Sequence, residues 1–273
     1  MSDLSRPPAP RIIAVANQKG GVGKTTTTIN LGAALVEEGR EVMIVDLDPQ
    51  GNASTGLGAL ADDRTATTYD LLLDEAPLSA VIQPTQFEGL WLAPASTDLS
   101  SADIELVANE KRSFLLHDAL RDRAIDAYQL DYVLIDCPPS LNLLTVNAMV
   151  AADSILVPLQ SEFFALEGLS QLMVTIRDVR QAANPRLRIE GVVLTMFDGR
   201  NRLSQQVLED ARANLGDLVF DTVVPRNVRV SEAPSYALPV LAYDTMSKGS
   251  LAYRALAQEI VVRHDAASKP GVA

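Results

Sequence analysis

The chain has 273 residues, 47% of them hydrophobic, and a formal net charge of −12. That length accommodates one large α/β domain with a sizeable core. No apolar run approaches the ~20 residues needed to cross a bilayer, and Met1–Pro10 lacks the apolar core of a signal peptide. The single cysteine, Cys137, excludes an intramolecular disulfide and any metal site built on several cysteines of this chain, and it fits a reducing cytoplasm. Acidity is concentrated early: Met1–Asp136 carries 21 acids and 10 bases, Cys137–Ala273 carries 14 and 13. Within the second half, Arg177–Arg229 holds nine arginines against seven acids, so the overall charge leaves room for a local basic face.

In chain order, residues 1–10 read as a proline-containing tail, 11–265 as one domain and 266–273 as a second tail. The apolar run Ile12–Ala16 reads as a strand. It feeds Asn17-Gln18-Lys19-Gly20-Gly21-Val22-Gly23-Lys24-Thr25-Thr26, and a helical pattern follows from Thr27 to Glu38. Strand, glycine-rich loop and helix in that order are the setting of a phosphate-binding loop. Glycines let successive backbone N–H groups turn toward phosphate oxygens, and the helix N-terminus adds partial positive charge. Lys24 is placed to reach the β- and γ-phosphates, and the Thr25 hydroxyl to ligate Mg²⁺. One departure stands out. The general pattern has a glycine where Gln18 stands, and the loop gains a second lysine, Lys19. That lysine is either a solvated loop charge or a group reaching a phosphate held by a second subunit.

A second strand, Glu41–Leu47, follows Gly39 and runs into Asp46-Leu47-Asp48-Pro49-Gln50-Gly51-Asn52. In a parallel sheet, ligands bind beyond the carboxyl ends of the strands. Both acids therefore emerge on the phosphate side, Asp48 suited to orienting or activating the attacking water and Asp46 to holding Mg²⁺ through water. Asp-Pro and Gly-Asn are also ordinary turn punctuation. Further on, Thr68–Leu73 reads as a short helix, Leu90–Ala93 as a strand, and Asp103–Gln129 as one or two helices. The strand ending at Asp136, within Asp131–Ser140, supplies an acid for Mg²⁺, directly or through a ligated water. Strands at Ser154–Leu159, Ile189–Phe197 and Val219–Val224 alternate with helices at Phe164–Ala183, Arg202–Leu215 and Ser247–Arg263. This alternation specifies an α/β fold with a doubly wound, mostly parallel sheet and helices on both faces.

The loop Asn17–Thr26 resembles the deviant Walker A loop of the ParA/MinD ATPases, a branch of the P-loop NTPases. Asp46–Asn52 resembles their second acidic motif and Val133–Pro139 their Walker B strand. Phe163–Leu169, Leu194–Asp198 and Val224–Ser235 are similar to chromosomal Soj-type partitioning proteins, and the likeness runs from about Arg11 to about Arg263. The resemblance implies an ATPase, weak alone and stimulated by partner and DNA, in which Lys24 binds its own nucleotide and Lys19 reaches the neighbour's phosphates in an ATP-sandwich dimer. It implies that Gly20, Gly21, Val22, Gly23 and Thr26 complete the phosphate cradle, with Gly20 at a close approach between subunits. Thr25 would ligate Mg²⁺, Asp136 would hold it through water, and Asp48 would position the hydrolytic water. Met196, Pro225 and Asn227 would contact adenine, and Glu162 the nucleotide across the interface. Family members of this type are cytoplasmic and nucleoid-associated. They bind double-stranded DNA without sequence preference once ATP closes the dimer, and a ParB-type centromere-binding partner stimulates hydrolysis and release. Arg200, Arg202, Arg229 and Lys248 are the candidate DNA contacts. The C-terminal residues lack the basic amphipathic helix of a membrane-recruited MinD-like regulator, so no stable membrane association is expected. That regulator and a small-molecule ligase of the same fold are the alternatives.

Overall fold

A computed structural model of the chain describes residues 9–162 and 165–268. In chain order its strands are β1 (Arg11–Val15), β2 (Val42–Asp46), β3 (Gln83–Pro84), β4 (Leu90–Ala93), β5 (Tyr132–Asp136), β6 (Ser154–Gln160), β7 (Arg188–Phe197) and β8 (Val219–Pro225). They form one eight-stranded sheet in the order β3-β4-β2-β5-β1-β6-β7-β8. Every pairing is parallel except the edge pair β3–β4. The helices are α1 (Lys24–Glu37), α2 (Asn52–Gly56), α3 (Thr68–Leu73), α4 (Leu78–Val81), α5 (Ala102–Glu105), α6 (Leu115–Arg121), α7 (Leu143–Ala151), α8 (Ala165–Ala182), α9 (Arg202–Leu215), α10 (Val228–Glu232), α11 (Val240–Tyr243) and α12 (Lys248–Ser268).

Two cores follow from the period-two alternation of the strands. Ile12, Ala14, Met43, Val45, Val133 and Ile135 face one side, where side chains of α3, α6, α7 and α8 cover them. Ile13, Val15, Ile44, Leu92 and Leu134 face the other, under Leu31 and Leu35 of α1 and Leu256 and Ile260 of α12. Each fully buried aliphatic side chain contributes about 1.5–3 kcal/mol relative to an exposed one. The approach of α1 to the sheet is close: a Cβ at Gly32 would lie 3.1 Å from Ile44 Cδ1.

Several elements differ from the sequence expectation. The first helix begins at Lys24, three residues earlier than the apolar pattern suggested, because Gly23 at φ 86° turns the chain straight into it. Helix α7 was not anticipated. Its residues are apolar around almost the whole circumference, so they show no amphipathic period. The Asp103–Gln129 segment is broken into short pieces, since Asn109 and Asp122 accept hydrogen bonds from Lys111 N and Ala124 N that a continuous helix would use internally. The closing helix runs on to Ser268, through the first residues of the expected second tail. Residues 1–8 and 269–273 of the two tails, and Phe163–Phe164 of the Soj-like stretch, lie outside the described residues.

At the amino ends of the strands, α12 is tied down by a buried polar chain. His264 Nε2 lies 2.7 Å from Glu190 Oε1, Ser154 Oγ donates to Glu190 Oε2 at 2.6 Å, and Tyr132 Oη lies 3.0 Å from His264 Nδ1. Burial alone would raise the Glu190 pKa, but the hydrogen bond and charge of His264, with Ser154 and Arg188, outweigh it and hold the carboxyl below its usual range. Replacing Glu190 by Gln should lower stability by roughly 1–3 kcal/mol at neutral pH, read by urea unfolding. A folded pKa below the unfolded one means that the carboxylate's contribution is present above the ordinary Glu range and is lost as pH falls through the folded value. The difference between the native chain and Glu190→Gln should therefore shrink toward acid pH.

Candidate nucleotide site

The glycine-rich loop leaves the carboxyl end of β1, at the centre of the sheet, and closes on α1. Asn17 fixes its start: Nδ2 donates to Pro158 O at 2.8 Å and Oδ1 accepts from Lys19 N at 3.0 Å. Gly21 (φ 73°) and Gly23 (φ 86°) take left-handed conformations that only glycine adopts without strain. Thr195 at the end of β7 anchors the far side, its hydroxyl donating to Val22 O at 2.8 Å. The buried Lys24 Nζ donates to Lys19 O at 3.1 Å, across the mouth of the cradle. Burial lowers the Lys24 pKa, with the charge of Asp136 opposing.

Register places the acids. Asp136 pairs with Val15 on one side and Asp46 on the other, so all three stand level at the functional edge. Asp136 is fully buried, and burial followed by the charge of Asp46 raises its pKa, while the Thr25 hydroxyl works the other way. Its Oδ1 accepts from Thr28 Oγ1 at 3.3 Å; its Oδ2 is buried with no hydrogen-bond partner. An orphaned carboxylate oxygen beside a threonine hydroxyl fits a Mg²⁺ ion that keeps water ligands and shares phosphate oxygens. No group of three or more His, Cys, Asp or Glu gathers as a metal site among the described residues.

Asp46 is held by its own loop. Its Oδ2 accepts from Ser54 N (2.8 Å) and Ser54 Oγ (2.7 Å), and its Oδ1 from Asp48 N (3.1 Å). Burial pushes its pKa up to about 6 despite these bonds. Both oxygens accept hydrogen bonds that fix the loop after β2. The sequence showed the acid but not Ser54, eight residues on. Asp48 is also buried, and its Oδ1 accepts from Gln50 N at 3.0 Å. Arg64 staples the same loop from outside, donating to the carbonyls of Ala59 and Ala95 and to Thr55 Oγ1. Gly51, at φ 60°, leaves room for that guanidinium: a Cβ there would lie 2.5 Å from Arg64 Nη1.

Behind the loop a cavity of about 350 Å³ brings Met196, Pro225 and Asn227 together with Gly23 and Thr26. Thr195, Val230, Ser231 and Pro234, from the two Soj-like stretches, also line it, as does Tyr253, which sequence reasoning did not single out. Tyr253 reads as a core residue on α12, and it is buried; its hydroxyl nevertheless lies 3.4 Å from Thr27 Oγ1. Asn227 Oδ1 caps α10 by accepting from Arg229 N at 2.8 Å.

Lys19 leans out of the cradle. Its Nζ pairs with Glu162 Oε2 at 3.0 Å, and Gln160 Nε2 donates to the other Glu162 oxygen at 2.7 Å. No atom lies within 4 Å of a Cβ built at Gly20. The DNA candidates follow the ends of β7 and β8 and open α9 and α12. Arg200, 92% exposed, forms a two-pronged pair with Asp198; Arg229 is held by Glu232 (2.9 Å) and Asp244 (3.3 Å). Arg202 opens α9 and Lys248 opens α12, both exposed.

The fold and loop together define a P-loop nucleotide-binding protein of the deviant Walker A kind. Residues 10–189 match a family described as an AAA domain. The chain is 59% identical over 254 residues to the chromosome partitioning protein ParA of Caulobacter vibrioides, covering 93% of this chain and 94% of that one. It is 49% identical over 252 residues to the sporulation initiation inhibitor protein Soj of Bacillus subtilis, covering 92% and 98%. Among solved structures, cobyrinic acid a,c-diamide synthase of Mycobacterium smegmatis with bound ATP analog and magnesium superposes with a TM-score of 0.82 at 39% identity, over 96% of this chain and 98% of that one. This chain belongs to the ParA/Soj family of chromosome-partitioning ATPases.

Ser54→Ala removes one donor from a buried carboxylate and should destabilise the chain by about 1–3 kcal/mol. Thermal unfolding checks the loss, and proteolysis in the Pro49–Leu60 segment should become faster. Unchanged stability would mean that Asp46 is not held as described.

Proposed function

We propose that the chain couples Mg²⁺-dependent ATP hydrolysis to a cycle of homodimerisation and DNA retention. Lys24 and the amides of Gly20–Thr26 receive the phosphates of the chain's own nucleotide, with Met196, Pro225 and Asn227 around the base. Thr25 and Asp136 hold Mg²⁺, which neutralises charge on the β- and γ-phosphates when bound. Asp48 positions the attacking water, and Asp46 acts through the loop that carries Asp48. The ATP-closed dimer retains double-stranded DNA through Arg200, Arg202, Arg229 and Lys248, doubled by two-fold symmetry. A ParB-type partner stimulates hydrolysis and release, and the protein is nucleoid-associated in the cell.

The observation that carries this reading is Lys19. A lysine inside a phosphate loop that turns outward to Glu162 serves no purpose toward its own nucleotide, whose cradle Lys24 already occupies. A second copy docking on this face supplies a phosphate in exchange for the glutamate. Both partners of the Lys19–Glu162 pair are substantially exposed, so breaking it costs little, on the order of 0–1 kcal/mol. ATP then shifts the dimer equilibrium by its preference for the closed state, and hydrolysis removes that preference.

A small-molecule ligase is the reading that the likeness to the diamide synthase structures favours, at lower identity than the partitioning proteins. ATP-dependent amidation of a carboxylate substrate by the purified chain would establish it. Among the described residues no helix is long and apolar enough to cross a membrane.

The test is ATP turnover, dimer mass and DNA retention at low and high salt, with and without a cognate ParB-like protein. Lys19→Ala should lose ATP-dependent dimerisation while still binding nucleotide. Asp48→Ala should accumulate an ATP-bound dimer, with turnover lowered by about 100-fold or more; native turnover in this variant would remove Asp48 from its role. Arg200→Glu should dimerise normally yet lose DNA retention. Absence of ATP-dependent retention by the native chain at low salt would sink the partitioning cycle itself.

A further inference from the structure

At the opposite end of the sheet from the phosphate loop, the amino ends of β1 and β7 and the end of α6 border a second polar pocket that is open to solvent. It measures about 520 Å³ and is lined by Ala9, Pro10, Arg11, Arg121, Asp153, Arg186 and Arg188. An adjoining cavity of about 450 Å³ shares Arg121, Asp153 and Arg186 and adds His117 and Asn184. Among the described residues four guanidiniums thus meet one carboxylate. Asp153 is already committed, accepting from Arg121 Nη2 at 3.1 Å and from Ile12 N at 2.8 Å. Arg11, Arg186 and Arg188 make no side-chain hydrogen bond or ion pair among the described residues, and Arg11 Nη1 is buried without an acceptor. The charge of Arg188 helps to hold Glu190 ionised, but no contact joins them.

The unpaired donor at Arg11 Nη1 carries a cost, since a buried donor without an acceptor forfeits about 1–3 kcal/mol, and the exposed Arg186 and Arg188 add positive charge beside it. The chain carries 12 more acids than bases, so carboxylates to neutralise these arginines are abundant in the sequence, yet among the described residues Asp153 is the one carboxylate that lines the pocket. Planar guanidinium forks match the oxygens of a phosphate group in two-pronged hydrogen bonds.

We propose that this cavity is an anion site that binds a phosphate group through Arg11, Arg186 and Arg188, with Arg121 held in place by Asp153. The site lies at the far edge of the sheet from Lys24, and nothing in it depends on the nucleotide loop or on a second subunit. The phosphate group belongs either to a small phosphorylated compound or to a nucleic acid backbone.

The experiment is calorimetric titration of inorganic pyrophosphate into the full chain saturated with Mg-ADP, so that the nucleotide loop is already filled. One saturable binding event per chain is expected. Arg186→Glu and Arg188→Glu, both at exposed positions, should each weaken it at least about tenfold, with ATP turnover unchanged. Arg11→Gln should do the same if it folds, and the two exposed variants carry the test if it does not. A short DNA duplex added to the pyrophosphate-loaded chain separates the sources: displacement assigns the site to nucleic acid phosphates, and no displacement to a small phosphorylated compound. The proposal is overturned if the ADP-loaded chain shows no saturable binding, or if both exposed variants bind pyrophosphate as the native chain does.

Discussion

Two carboxylates stand level on neighbouring strands, Asp46 and Asp136, both fully buried. In a medium of low dielectric such a pair repels strongly, and each raises the cost of ionising the other. The fold resolves the conflict by treating them unequally. Asp46 receives three hydrogen bonds from its own loop and becomes a structural anchor. Asp136 keeps an unsatisfied oxygen, with Thr25 beside it and the Lys24 charge in its neighbourhood. The asymmetry fixes the loop that presents Asp48 and leaves one acid available to a cation. The central position of β1 and the parallel register set this arrangement, because they bring the glycine-rich loop and both acids to one edge.

The two ends of the sheet are built differently. At the carboxyl ends of the strands, left-handed glycines and a buried lysine make a cradle that is open to solvent at Gly20 and Gly21. At the amino ends, the Glu190–His264–Tyr132 chain is closed and inward, with an arginine-lined cavity beside it. One end is open, as the exposed Lys19–Glu162 pair illustrates. The other is built to hold α12 against the sheet.

Much of this was legible in the sequence. The order strand, glycine-rich loop, helix needed no structure, since Gly23-Lys24-Thr25 has few other uses, and the acids at Asp46, Asp48 and Asp136 were visible as strand endings. The gathering of Met196, Pro225 and Asn227 behind the loop was expected only through family likeness, and the cavity they line appears in the fold. Other features depend on contacts that no local pattern encodes. That Asp46 accepts two hydrogen bonds from Ser54 is decided by how the loop folds back. Helix α7 was invisible because an element buried all round lacks a polar face, and the antiparallel strand β3 has only two residues. The arginines of the second cavity lie up to 177 residues apart, between Arg11 and Arg188, and only the topology brings them together.

Helix α12 has a consequence for how the chain acquires its shape. Tyr253, Leu256, Ala257 and Ile260 complete the core on the α1 face, Tyr253 forms part of the wall behind the phosphate loop, and His264 locks the helix to Glu190. The loop precedes this wall by more than 200 residues in the chain. A nascent chain therefore carries its phosphate loop while the α1 side of the sheet still lacks α12. The cavity behind the loop gains its Tyr253 wall only once α12 has docked.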